Sequence, residues 1–200
     1  MNFKYYDILS QALIGYLTLV VFSSILGFAY NNDYSIPYLA GGFVVGYFIN
    51  ALGSLLESFY FFTIGGMPSI KLLQVNSPKK YSGISKVRFY QAPKAIDMLK
   101  NDIGKNNPHE QEMFAVAMRV SNNKSKTRVP EFNAQYAFSR TILTSVLIIS
   151  IFIIYNFYNN PIAYLISILL LLLSWNRYRE RAYYYAREVL NDYLHQKESI

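Results

Sequence analysis

The stretch from Tyr38 to Ile64, YLAGGFVVGYFINALGSLLESFYFFTI, constrains this chain more than any other. It is longer than the roughly 20 apolar residues that carry a helix across a bilayer. Its small and polar residues are not scattered. Gly42, Gly46, Asn50, Gly53, Ser54 and Glu57 recur at steps of three and four, which puts them on one stripe of a helix. Hydrocarbon cannot hydrogen-bond an amide or a carboxylate, so the stripe is expected to face protein or water. Neighbouring helices must supply that surface.

Three further segments qualify as neighbours. Residues 8–30 (ILSQALIGYLTLVVFSSILGFAY) form an apolar run longer than the roughly 7–15 residues of a signal-peptide core, and the start is barely basic, so an uncleaved helix is expected. Its Gln11, Gly15, Ser23 and Gly27 fall near a four-residue period and offer a partner face for the stripe. Residues 141–158 and 161–175 are the third and fourth candidates, joined through Asn159-Asn160-Pro161. The fourth is short for a span and is expected to continue into RYRERAYYYAREVLNDYL, where Tyr178, Ala182, Tyr185, Val189 and Tyr193 line one face. That extension would pack on the central region or on a neighbouring subunit.

Between the two apolar blocks the chemistry changes. Gly65, Gly66 and Pro68 end the second helix. PKAIDMLKNDI, from Pro93, reads as an amphipathic helix, and so does HEQEMFAVAMRV after Asn107-Pro108. SNNKSKTRV is a loop, and Pro130 opens a helix through EFNAQYAFSR that runs on toward the membrane. KVRFYQ could be a strand. The expected fold class is therefore an all-α membrane protein: two antiparallel transmembrane hairpins, four helices in all, with a mainly helical cytoplasmic cap. The divisions are 1–64 for the first hairpin, 65–137 for the basic insert, 138–176 for the second hairpin and 177–200 for a helical tail.

Charge sets the orientation. None of the 19 Lys and Arg lies in the short connections 31–37 and 159–160; all lie in the N-terminus, in the central region and its continuation as far as Arg140, or in the tail. With four spans those three regions share one side, and the excess of cations makes it the cytoplasm, with both termini inside and the lipid bilayer as the solvent. There is no cysteine, and the two histidines, His109 and His195, lie far apart, so thiol chemistry is excluded and no metal or other cofactor is expected. No Ser-centred elbow, phosphate loop or glycine-rich fingerprint appears, so no catalytic residue is assigned.

Two sets of residues remain as candidates. In the stripe, Glu57 could ring a pore, bind a cation or relay protons, or it could be a protonated acid held by Gln11 or Ser54. A pore lining predicts that Glu57→Gln abolishes ion flux and spares assembly. In the insert, Lys79, Lys80, Lys86, Arg88, Tyr90 and Arg119 combine cations with rings, a pattern that suits a nucleotide, RNA or partner protein and equally suits anionic lipid heads.

This layout, a basic aromatic-rich insert between two hairpins, with segments such as NALGSLLESFYFF and RERAYYYAREVLNDYL, resembles the small four-span membrane proteins of bacterial antiphage defence systems. These include the accessory membrane proteins of Cas13b-type CRISPR loci, the membrane component of Kiwa and the four-span effectors of cyclic-nucleotide signalling. The resemblance implies an oligomeric effector or sensor that changes membrane permeability on a cytoplasmic signal. It leaves two alternatives: a non-conducting tether or regulator of a soluble nuclease, and a small transporter. One such family carries an Arg-x4–6-His nuclease motif. Here seven residues separate Arg187 from His195, so that activity is not carried over.

Overall fold

The computed structural model describes residues 5–28, 34–74, 87–122 and 127–198, with side chains from residue 11 onward. Those residues build helices and turns, with no strand among them. In chain order the helices are α1 (Tyr5–Ile25), α2 (Ser35–Leu55), α3 (Glu57–Thr63), α4 (Pro68–Leu73), α5 (Ala92–Ile103), α6 (Glu110–Asn122), α7 (Val129–Asn156) and α8 (Pro161–Glu198). The all-helical expectation holds for what is described. Three of the helices, α2, α7 and α8, are long and apolar enough to cross a membrane, and α1 contributes a shorter apolar stretch, Gln11–Ile25.

The chain forms two compact units. The first comprises residues 1–57 and 137–178, the second residues 58–136 and 179–200, so α7 and α8 each contribute to both.

In the first unit α1 lies against α2 at very short range. A Cβ on Gly46 would sit 2.0 Å from the Gln11 carbonyl oxygen, and one on Gly15 would sit 1.8 Å from that of Gly42. Backbone atoms cannot step aside, so only glycine permits this approach, the small-residue packing expected where hydrocarbon gives no reason for apolar helices to associate. Of the face expected on α1, Gln11 and Gly15 meet α2, whereas Gly27 is exposed and ends the helix instead. Its φ of 79° lets Gly27 N–H reach Ser24 O and Phe28 N–H reach Ser23 O, the paired bonds of a Schellman cap. Helix α7 joins this unit through buried hydroxyls, with Thr18 Oγ1 and Ser145 Oγ 2.8 Å apart. The Phe22 and Phe152 rings meet edge to face at 4.4 Å.

The second unit has a core of its own, drawn from α4, α5, α6 and the far half of α8. Leu73, Leu99, Ala117, Val189, Leu190 and Tyr193 are all buried in it. Fully burying a leucine or valine side chain is worth about 1.5–3 kcal/mol, so this cluster dominates the unit's cohesion. Of the row expected on α8, Ala182, Val189 and Tyr193 are buried in this unit and Tyr185 is half-buried, its ring stacked on Tyr136 at 5.7 Å, while Tyr178, the last residue of the first unit, is buried as well. Tyr193 donates to Asp102 on α5 at 2.8 Å, and Ser121 on α6 donates to the Val189 carbonyl at 3.1 Å. Burial, followed by the hydrogen bond to Asp102 and that group's charge, raises the Tyr193 hydroxyl above the ordinary tyrosine value.

Several local expectations need adjusting. The helix of 38–64 is interrupted at Leu56, which separates α2 from α3. Gly65 and Gly66, at φ 81° and 120°, end α3 with Gly65 N–H on Phe62 O and Gly66 N–H on Phe61 O. Pro68 then opens α4. Pro108 precedes α6 rather than opening it. His109 is the residue that caps α6, its Nδ1 accepting from Gln111 N–H at 3.2 Å. Within KVRFYQ, Val87–Phe89 is irregular and Tyr90-Gln91 turns, so the described part is not a strand, because it has no partner to pair with among the described residues. The helix opened near Pro130 does run unbroken to Asn156, and α8 runs unbroken to Glu198.

Candidate functional site

The polar site of the first unit begins with Glu57, the residue immediately after the break at Leu56. Its Oε2 accepts from Arg140 Nη1 at 2.9 Å. The second guanidinium nitrogen, Nη2, reaches Asn50 Oδ1 at 3.4 Å, and Thr141 Oγ1 reaches the same oxygen at 3.1 Å. Thr141 Oγ1 also lies 2.9 Å from the Ala137 carbonyl, so its one proton alternates between the two acceptors. Asn50 lies on α2 seven positions before Glu57, the first residue of α3, and Arg140 and Thr141 are consecutive on α7. Helical spacing thus brings one amide and one carboxylate to face one guanidinium.

Packing brings the helices close enough for this. A Cβ on Gly53, between Asn50 and Glu57 on the stripe, would stand 2.8 Å from Thr144 Oγ1, and Thr144 itself donates to the Arg140 carbonyl at 3.0 Å. The ion pair is largely withdrawn from solvent, with side-chain exposure of 12% for Arg140 and 28% for Glu57. In three carboxylate–cation pairs of the second unit, Lys94–Glu198, Lys105–Glu112 and Lys197–Asp102, the cation is more exposed than Arg140.

The predicted stripe therefore divides by partner. Gly42 and Gly46 are filled by the backbone of α1, and Asn50, Gly53 and Glu57 meet α7. Ser54 is exposed and its hydroxyl returns to the Asn50 carbonyl of its own helix. Sequence reasoning passed over Arg140 and Thr141. The usable signal was that a carboxylate near the end of an apolar helix needs a cation at the same end of another, and Arg140 directly precedes the apolar run that starts at Thr141.

The basic candidates of the insert are not gathered into a site. Lys79, Lys80 and Lys86 lie outside the described residues. Arg88 and Tyr90 are exposed neighbours, with Arg88 Nη1 3.5 Å from the Tyr90 hydroxyl, and Arg119 is exposed on α6. Elsewhere in the second unit, Lys71 donates to the Ile64 carbonyl at 3.0 Å. Burial, then the neighbouring Arg179 guanidinium, holds its ammonium below the ordinary lysine range. No group of three or more His, Cys, Asp or Glu among the described residues could hold a metal ion.

No family model, curated protein or solved structure matches this chain. The functional reading therefore rests on the chemistry of its own residues.

Proposed function

We propose that this chain is a multi-pass protein of the bacterial inner membrane. It crosses four times, through hairpins α1/α2 and α7/α8, and keeps both termini and the second unit in the cytoplasm. The second unit receives a signal or partner protein, and the first responds by changing the membrane's permeability. The observation that carries this reading is the Glu57–Arg140 pair, which ties the residue just past the end of α2 to α7 in the first unit. An ion pair withdrawn from water costs desolvation on both sides and is kept where it specifies one arrangement among several. Here it acts as a latch for the closed packing, and a bound signal shifts the balance toward an open one. The layout's resemblance to antiphage membrane components suggests that setting for the response, with oligomers as the conducting form.

The latch revises the expected effect of neutralising Glu57. As a pore lining, Glu57→Gln would abolish flux; as half of a latch, Glu57→Gln and Arg140→Gln each raise resting leakage. Membrane depolarisation in cells induced for wild type and each variant tests this. Resting leakage unchanged in both variants would remove the latch.

One observation favours the non-conducting tether as a second reading. The glycines of the stripe are filled by backbone of the same chain, so Gly42 and Gly46 offer no lining to a channel in this packing. A tether leaves the membrane polarised with or without a partner, and its second unit binds a soluble protein or RNA.

A further inference from the structure

We infer that α3 is a membrane-contacting helix whose exposed face, carried by Phe59 and Phe62, lies in the boundary between headgroups and acyl chains of the leaflet through which α2 leaves. The inference rests on the membrane-spanning reading above and extends it to a segment that belongs to no span.

Helix α3 is too short to cross a bilayer, and its two sides differ sharply in cover. Tyr60 and Ile64 are buried, at 3% and 7% exposure, whereas Phe59 and Phe62 stand 57% and 80% exposed. A phenylalanine left in water forgoes about 1.5–3 kcal/mol of burial, and two of them three residues apart on a helix form a contiguous apolar patch. Something of low polarity is expected to cover it.

Continuity along the chain identifies the cover as lipid. On α2 the exposed large residues Val44, Phe48, Leu52 and Leu55 follow one another at steps of four, four and three. Phe59 and Phe62 follow Leu55 in the sequence at steps of four and three, and the two share one face of α3. Leu56, which interrupts the helix, stays in the right-handed region at φ −81° and ψ −3°, and its N–H still bonds the Leu52 carbonyl at 2.9 Å. In chain order the exposed apolar residues of α2 are thus followed directly by another exposed apolar pair.

Reach supports the same conclusion. Phe62 lies five positions after Glu57, which is about 8 Å as helix and at most about 18 Å fully extended. Interfacial helices bury their apolar faces to a depth of roughly 5–10 Å, a range that matches the length of the helical path from Glu57 to Phe62 in α3. Beyond it, Lys71 places an ammonium on the Ile64 carbonyl, a cation beside the end of α3 that suits anionic headgroups.

The test uses the full chain in vesicles of phosphatidylcholine and phosphatidylglycerol, with brominated or ordinary acyl chains. Trp175 is the sole tryptophan, so a Trp175→Phe background leaves one reporter when Phe62→Trp or Phe48→Trp is added. Both reporters are expected to lose fluorescence in brominated vesicles, with Phe62→Trp losing at least half the fraction lost by Phe48→Trp. It should also respond more to bromines placed near the headgroup. Quenching of Phe48→Trp without quenching of Phe62→Trp overturns the inference and spares the membrane reading; quenching of neither overturns both. Shielding of Phe62→Trp that appears only as protein density in the vesicles rises would assign the face to a second copy of the chain, and overturns it too. Should the Trp175→Phe background fail to fold, a nitroxide on Phe62→Cys, in a chain with no other cysteine, reads the same contact by its relative accessibility to oxygen and to a water-soluble nickel complex.

Discussion

Removing one partner of the Glu57–Arg140 pair should cost more than removing both. Taking away one member of a buried ion pair costs about 3–5 kcal/mol, because the other charge stays behind without its counterpart. An exposed pair is worth about 0–1 kcal/mol. With Arg140 12% and Glu57 28% exposed, the pair stands nearer the buried limit. Glu57→Gln and Arg140→Gln are each expected to destabilise by about 2–3 kcal/mol on that scale. In the double variant neither charge remains and two amides face each other, so the cost falls to about 1 kcal/mol, the worth of an ordinary hydrogen bond. The double variant should therefore be more stable than the sum of the singles by several kcal/mol, where independent sites would add to within about 0.5 kcal/mol. Trp175 fluorescence during SDS titration of detergent-solubilised protein gives the four stabilities. Additivity across the cycle would refute the reasoning, because it would mean that the two groups do not meet.

Two further outcomes follow from other parts of the molecule. Gly46→Ala should loosen α1 from α2 at a cost of about 1–3 kcal/mol or more, since its methyl would meet backbone 2.0 Å away, whereas Gly41→Ala meets only the tip of the flexible Leu19 side chain at 3.3 Å and should be mild; protease resistance in detergent compares the two. Tyr193→Phe removes the donor to Asp102 and should cost about 1.5 kcal/mol. Because folding raises the Tyr193 pKa, its contribution is fully present below the ordinary tyrosine value of about 10 and is lost as pH rises beyond it. Alkaline unfolding curves should therefore fall less steeply for Tyr193→Phe than for wild type.

What could be read from the sequence was whatever depends on neighbours along the chain. The face Tyr178, Ala182, Val189 and Tyr193 follows from helical spacing alone, and so does the glycine row of α2. Pro at the start of a helix, with no breaker after it, was enough to carry α7 from its opening near Pro130 to Asn156. The partner of Glu57 was different in kind. Arg140 lies 83 residues away, and no period in the sequence links the two. The stripe was read as one surface to be covered by neighbouring helices, and spacing could not say that α1 fills its first half and α7 meets its second. Which neighbour covers which turn depends on how helices pack, and glycine spacing says only that something comes close. KVRFYQ misled because alternating apolar and polar residues satisfy a strand pattern whether or not a second strand exists to pair with it.

The most direct test of the account is a disulfide between α2 and α7. The chain has no cysteine of its own, and a Cβ on Gly53 would lie 2.8 Å from Thr144 Oγ1, which brings the two Cβ atoms within bonding range of a disulfide. In membranes, Gly53→Cys with Thr144→Cys should cross-link nearly completely under mild oxidation, seen as a linked peptide pair by mass spectrometry, while Leu52→Cys with Thr144→Cys should not. Free thiols at 53 and 144, or equal linkage from both pairs, would contradict the placing of Asn50, Gly53 and Glu57 against Arg140 and its neighbours.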